Sequence, residues 1–215
     1  RRPRRRPLVG PIPTSSTTRQ RRVASVRPGR AQRSVTNAVN YALYQAGWLA
    51  CIFGAAWLHP WLGVALGTAT LAAHVMLAER RRDEWRLACL VGLIGILVES
   101  TQIAAGTLRF TQGVVVGWLP PVWLVLLWMQ FAGTLRYSLR WVTERTSTAV
   151  LFGAIGGPLA YVAVSRLAIV QFHPDMWRSL VLLSVLWGLA VPAAARAARA
   201  GGDAAAGRYR FVASV

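Results

Sequence analysis

Six apolar runs dominate this sequence, and each is long enough to cross a membrane as a helix. A hydrocarbon core about 30 Å thick requires roughly 20 predominantly apolar residues. In a chain of 215 residues, six such runs are too frequent for a globular core. The sequence therefore predicts an all-α fold, a polytopic integral membrane protein built as a six-helix transmembrane bundle. The predicted spans are residues 37–58, 60–78, 85–105, 119–139, 147–167 and 176–195.

The distribution of arginine predicts the orientation of this bundle. Six spans place both termini on one side, and that side receives 22 of the 25 basic residues, all of them arginine. The other side receives only Arg109, Arg166 and Arg178. Without residues 1–34 the distribution is still 11 against three. Because arginine is concentrated on the cytoplasmic side of membrane proteins, we expect an N-in and C-in protein of the bacterial inner (plasma) membrane, with both termini cytoplasmic.

The first 34 residues differ in composition from the rest of the chain. They contain 11 arginines and no acidic residue, among Pro, Ser and Thr. Such a segment cannot bury a core, so residues 1–34 are predicted to be a disordered arginine-rich tail. The alternative is that they are not part of the native start. The transmembrane domain is predicted over residues 35–196 and a cytoplasmic C-terminal tail over residues 197–215. Membrane lipid, and no nucleic acid, is the expected partner of the basic segments.

One acidic residue, Glu99, lies well inside a predicted span. Gln102 follows one helical turn later, on a similar face. Polar groups at this depth need a protein partner or a wet cavity, and Tyr161 and Arg166 are the expected partners by depth. The carboxylate is either a group that handles protons or substrate, or a structural group that fixes helix register.

A second polar layer is predicted nearer the cytoplasmic ends of the helices. His74 could act as a general base, but a hydrogen bond to Asn40 is the favoured interpretation. About 15 Å along the membrane normal separates His74 from Glu99, which argues against one acid/base pair. We expect no metal site, no cofactor and no catalytic residue. The layer consists of Asn40, Gln45, His74, Gln130 and Thr134.

Small residues indicate where helices approach closely. Gly63 with Gly67, and Gly153 with Gly157, have the fourfold spacing that lets backbones approach. Pro158, which follows Gly157, removes a backbone hydrogen bond and predicts a helix kink there.

Several short motifs together resemble one bacterial family of membrane proteins. They are Asn40, Gln45-Ala-Gly-Trp48, Pro121-Val-Trp123, Leu127-Trp128, Phe131-Ala, Thr134-Leu, Ser138-Leu-Arg-Trp141 and Gly156-Gly-Pro158-Leu-Ala-Tyr161. This combination resembles the domain of unknown function 2878 family (DUF2878), whose pattern has Asp at the position of Glu99 and Phe at that of Tyr44. The resemblance implies a multi-span inner-membrane protein without an assigned activity. It also implies an accessory role near lipid-modifying enzymes, which are then the expected membrane-associated protein partners.

Three functions are compatible with these features. The first is a non-enzymatic accessory or scaffold protein linked to membrane-lipid modification. The second is a small transporter or lipid-handling channel that uses Glu99. The third is a membrane-embedded lipid enzyme, which is disfavoured because the sequence offers neither paired carboxylates at one depth nor a supported nucleophile.

Overall fold

The computed structural model describes residues 30–201 and Tyr209, and the rest of the predicted tails lies outside the described residues. Within the described part the chain is mostly helical, with two short strands. The elements are α1 (Arg30–Ala56), α2 (Pro60–Leu77), α3 (Arg81–Ala104), β1 (Leu108–Phe110), α4 (Val122–Thr134), α5 (Arg140–Glu144), α6 (Thr146–Ser165), β2 (Val170–Phe172) and α7 (Met176–Ala200).

Four of the described helices are long and apolar enough to cross a membrane, namely α2, α3, α6 and α7. The other two predicted spans differ from these. Helix α1 has 27 residues, but Asn40 and Gln45 make it more polar. Helix α4 has only 13 residues. The helical membrane-protein class is therefore supported by four helices.

The two ends of the bundle differ in chemistry. At one end, here called the ribbon end, β1 pairs antiparallel with β2, with Arg109 opposite Gln171. The other end, here called the arginine end, carries the turns after α2 and α4 and the last turn of α7. Its arginines in the described chain are Arg30, Arg33, Arg80, Arg81, Arg82, Arg86, Arg136, Arg140, Arg145, Arg196 and Arg199.

Helix packing follows the small residues of the sequence. Helix α1 packs on α2 and α4, α6 packs on α7, and α3 joins the two groups by packing on α4 and α7. A Cβ at Gly63 would collide with the Ala50 carbonyl of α1, and one at Gly153 would collide with the backbone of Trp187 in α7. The predicted close approaches are therefore present at both glycine pairs.

Three segments differ from the sequence prediction. Helix α1 begins at Arg30, so residues 30–34 are helical instead of disordered. Helix α7 continues to Ala200, four residues into the predicted C-terminal tail. The strand pair was not expected in an all-α fold.

The predicted fourth span also ends early. Asn40 Nδ2 donates to the Gly133 carbonyl, and Asn40 Oδ1 accepts from the backbone and hydroxyl of Ser138. The backbone N–H of Tyr137 bonds instead to the Thr134 carbonyl, a tighter turn than an α-helix allows. A side chain of α1 thus takes the place of the helical hydrogen bonds that would have continued α4.

Candidate functional site

A cleft of about 280 Å³ lies between α1 and α6 and is floored by α4. Ten of its 18 lining residues are aromatic. We call it the aromatic cleft. It is lined by Tyr41, Tyr44, Trp48, Ile52, Phe110, Trp123, Leu124, Leu127, Trp128, Phe131, Leu139, Phe152, Gly156, Ala160, Tyr161, Val164, Val170 and Trp187.

Two glycines make room for the indoles that form the back of the cleft. A Cβ at Gly95 of α3 would overlap the ring of Trp128, and a Cβ at Gly157 would overlap the ring of Trp187. The two indoles then meet with their centroids 4.5 Å apart and their planes inclined by 40°. Helix α6 runs continuously through Pro158. In this structure the absence of a side chain at Gly157 leaves space for the ring of Trp187. The kink predicted at Gly157 and Pro158 stays a prediction.

Glu99 lies directly behind Trp128, outside the lining of the aromatic cleft. Its side chain is fully buried, and its Oε1 accepts a 3.0 Å hydrogen bond from Trp128 Nε1. Glu99 Oε2 has no hydrogen-bond partner among the described residues. The Tyr161 hydroxyl lies close enough to the Glu99 carboxyl to act as its hydrogen-bond donor, although the pair falls outside strict hydrogen-bond geometry in this structure.

The other residues predicted around Glu99 are placed elsewhere. Arg166 caps the end of α6 and is exposed, and no contact between it and Glu99 occurs in the described part of the chain. Gln102 is fully buried, and its side chain accepts from the hydroxyl of Thr107. The structure therefore brings Tyr161 to Glu99, adds Trp128 and separates Arg166.

A second buried group of polar side chains occupies the arginine end, and we call it the polar cluster. Its members are Asn40, His74, Glu84, Arg136 and Tyr209. His74 Nδ1 lies 2.9 Å from the Tyr209 hydroxyl and 3.3 Å from Asn40 Nδ2, while His74 Nε2 lies 3.4 Å from Glu84 Oε2. Arg136 Nη1 donates to Glu84 Oε1 at 3.2 Å. The expected contact between Asn40 and His74 is thus present, within a larger network.

Tyr209 reaches this network from beyond the end of α7. Its side chain is fully buried, and its backbone forms an isolated bridge with Ala78. Burial raises the pKa of Tyr209 to about 12; the hydrogen bond to Asn40 lowers the pKa and the nearby charge of Glu84 raises it. At neutral pH the hydroxyl is therefore protonated and can donate to His74 Nδ1. His74 Nε2, the other ring nitrogen, faces Glu84 Oε2.

The remaining residues of the predicted second layer have local roles. Gln130 Nε2 donates to the Gly67 carbonyl, and Thr134 Oγ1 donates to the Phe131 carbonyl one turn back. Gln45 is half-buried on α1. The predicted layer therefore divides into two members of the polar cluster and three residues outside it.

Sequence reasoning missed Glu84 and Arg136, because both lie near the cytoplasmic ends of predicted spans, where charged side chains were expected to contact membrane lipid. The sequence did contain a feature that could have indicated the contact between Glu84 and His74. Glu84 directly precedes the third predicted span and His74 lies in the last turn or so of the second, so the two side chains were expected at the same end of adjacent helices. No signal in the sequence connected Tyr209 with His74.

Comparison with known proteins gives a family but no described relative. A family model described as "Protein of unknown function (DUF2878)" matches residues 37–193. No curated protein matches the chain. No solved structure matches it either.

Proposed function

The chain belongs to the DUF2878 family, and we propose that it is a non-enzymatic membrane protein that holds one lipid chain in the aromatic cleft. The observation that carries the proposal is the cleft itself, whose lining is apolar apart from the tyrosine and tryptophan tips. Ligand pockets of this kind are concave and mostly apolar, with few polar groups.

The position of the cleft favours a ligand that comes from the membrane. Its walls are α1 and α6, which pack on different partners. Tyr41, at the arginine end of the cleft, is exposed. On the outward faces of neighbouring helices Leu97, Leu159 and Leu189 are also exposed, as lipid-facing residues are. An acyl chain could therefore enter sideways from the hydrocarbon region.

The membrane orientation is part of the same proposal. We place six crossing segments in the bilayer, with α4 and the turn after it counted as the fourth. The arginine end then faces the cytoplasm, because 11 of the 14 arginines in the described chain lie there. Exposed tryptophans support an interface at each end: Trp57 and Trp177 at the ribbon end, Trp85 and Trp141 at the arginine end.

The lining favours binding over catalysis. Among the residues that line the cleft there is no carboxylate, histidine, serine or cysteine. Glu99 stands behind the wall with one oxygen held by Trp128. A protein that holds a lipid without transforming it also fits the accessory role, in which a lipid-modifying enzyme is the proposed partner.

Lipid photocrosslinking tests this function. The protein is reconstituted with a phospholipid that carries a diazirine in its acyl chain, extracted into mild detergent to remove loosely held lipid, and irradiated. We expect labelled peptides from α1 and α6 together. Ala160→Trp should fill the cleft and remove most of this labelling.

Ala163→Trp is the matched control, because Ala163 lies on the same helix but is exposed and outside the cleft lining. It should leave the labelling unchanged. Labels spread evenly over the exposed faces, and equal in the two variants, would contradict a bound lipid chain.

A further inference from the structure

Three buried polar atoms next to the aromatic cleft have no hydrogen-bond partner in the described part of the chain. They are Tyr161 Oη, Trp187 Nε1 and Glu99 Oε2. Tyr161 and Trp187 both line the cleft, and Tyr161 is only 4% exposed. A polar group left unpaired in an apolar medium costs several kcal/mol. Because Tyr161 and Trp187 line the cavity, their unpaired atoms indicate a missing partner there.

The three atoms belong to one contiguous group. The rings of Tyr161 and Trp187 meet edge to face with centroids 6.3 Å apart. The ring of Trp187 packs against that of Trp128 at an angle of 40°, and Trp128 donates a hydrogen bond to Glu99. A single small polar group on a ligand could therefore serve more than one of these atoms.

The donors and acceptors of this group restrict the ligand. The indole N–H of Trp187 can only donate to the ligand, whereas the Tyr161 hydroxyl, whose proton can go to the Glu99 carboxyl behind it, is left to accept from the ligand. A ligand group that completes them must both accept and donate. A hydroxyl does so with one oxygen atom, whereas a carbonyl or ether oxygen only accepts and an ammonium only donates. An anionic headgroup is disfavoured because no arginine lines the cleft.

The depth of the group suits the polar end of a lipid. Glu99 lies five residues before the end of α3 and Tyr161 four before the end of α6. At 1.5 Å per residue both are about 6 to 8 Å from the ribbon end. From there the cleft continues past Tyr44 and Phe152 towards Leu139 at the arginine end. A ligand hydroxyl would thus sit near one membrane surface, with its chain extending towards the other.

We propose that the ligand of the aromatic cleft is an uncharged lipid alcohol, whose hydroxyl binds between Tyr161 and Trp187, in front of Glu99, and whose apolar chain fills the rest of the cleft. This inference rests on the proposed lipid-binding function and names the chemical class of the lipid.

Competition between matched ligands tests the inference. A saturated long-chain alcohol and its methyl ether, which has the same chain but no O–H, compete with the diazirine lipid for labelling of α1 and α6. A hydrogen bond contributes about 0.5–1.5 kcal/mol, so the alcohol should compete up to about tenfold better than the ether. Tyr161→Phe should reduce this ratio severalfold, whereas Tyr44→Phe, which removes a hydroxyl elsewhere in the cleft, should preserve it.

The failures of the two proposals can be told apart. If α1 and α6 are not labelled at all, the lipid-binding function itself is wrong. If they are labelled but alcohol and ether compete equally, the cleft binds lipid and the hydroxyl assignment is overturned. A trimethylammonium amphiphile of equal chain length that competes better than the alcohol would also overturn it, in favour of a cationic ligand held by the aromatic rings.

Discussion

Trp128 Nε1 donates a 3.0 Å hydrogen bond to Glu99 Oε1, and this bond joins the floor of the aromatic cleft to a fully buried carboxyl of α3. The indole ring of Trp128 packs against Gly95 on one side and against Trp187 on the other. Because the ring is fixed on both sides, the carboxyl is held in a defined position behind the cleft.

Trp128→Phe should destabilise the protein more than Trp187→Phe. Both variants replace an indole with a smaller ring, but only the first leaves Glu99 Oε1 without its donor. An unpaired buried acceptor costs about 1–3 kcal/mol. Thermal unfolding in detergent measures the difference in stability between the two variants. The reaction of Cys51 and Cys89 with a thiol-reactive dye monitors the unfolding. Equal losses in the two variants would show that the hydrogen bond contributes nothing beyond packing.

The role of the Glu99 carboxyl is tested by Glu99→Gln and Glu99→Leu. Gln keeps an oxygen that can accept from Trp128, so we expect a loss of stability below about 1 kcal/mol. Leu leaves the indole N–H unpaired, and the loss should be about 1–3 kcal/mol. The same thermal assay compares the two. If Gln is as harmful as Leu, the negative charge itself matters, and the transport alternative based on Glu99 gains support.

Glu84→Gln should be among the most destabilising single changes at the arginine end. It leaves Arg136 buried without its partner, and breaking a buried ion pair by removing one member costs about 3–5 kcal/mol. Asp83→Asn is a matched control from the same first turn of α3, since its pair with Arg80 is 3.8 Å long and partly exposed. The control should cost about 0–1 kcal/mol. Similar unfolding temperatures for the two variants would contradict the burial of the Glu84–Arg136 pair.

The packing of Tyr209 against His74 should weaken at alkaline pH. Burial raises the pKa of its hydroxyl to about 12, so the docked side chain keeps a proton that an undocked tyrosine loses near pH 10. Docking is therefore at full strength below pH 10 and weakens as the pH rises towards 12. The difference in tyrosinate absorbance between the wild type and Tyr209→Phe should titrate with a midpoint near 12. A midpoint near 10 would mean that Tyr209 is not buried against His74.

Removal of the Tyr209 hydroxyl should also loosen the C-terminal segment. Tyr209→Phe loses the contacts with His74 and Asn40, so trypsin should cleave the segment faster at neutral pH. Tyr41→Phe, at an exposed tyrosine of α1, is the control and should be cleaved like the wild type. Equal cleavage of all three proteins would show that the hydroxyl does not hold the segment.

Depth along the helices predicted some of the contacts correctly. Glu99 and Tyr161 were expected at the same depth, and their side chains lie close to each other in the structure. Asn40 and His74 were also expected to meet. Depth is predictable because the rise per residue of a helix is fixed.

The partner of Glu99 could not be predicted in the same way. Trp128 reaches it only because Gly95 leaves space on the adjacent helix, a relation that depends on helix rotation and order. Arg166 was expected near Glu99 by its depth along the helix, but it lies at the end of α6 and is exposed. Tyr209 is more distant still in sequence, since it lies 135 residues after His74. Such contacts between distant segments leave no periodic signal in the sequence.

The most direct test of the account is a cryo-electron microscopy map of the protein in lipid nanodiscs, with an antibody fragment bound to aid alignment. We expect elongated density between α1 and α6 that runs along Trp48 and Phe152 and ends in a polar contact at Tyr161. An aromatic cleft that is empty, or closed by direct packing of α1 on α6, would contradict the lipid-binding function.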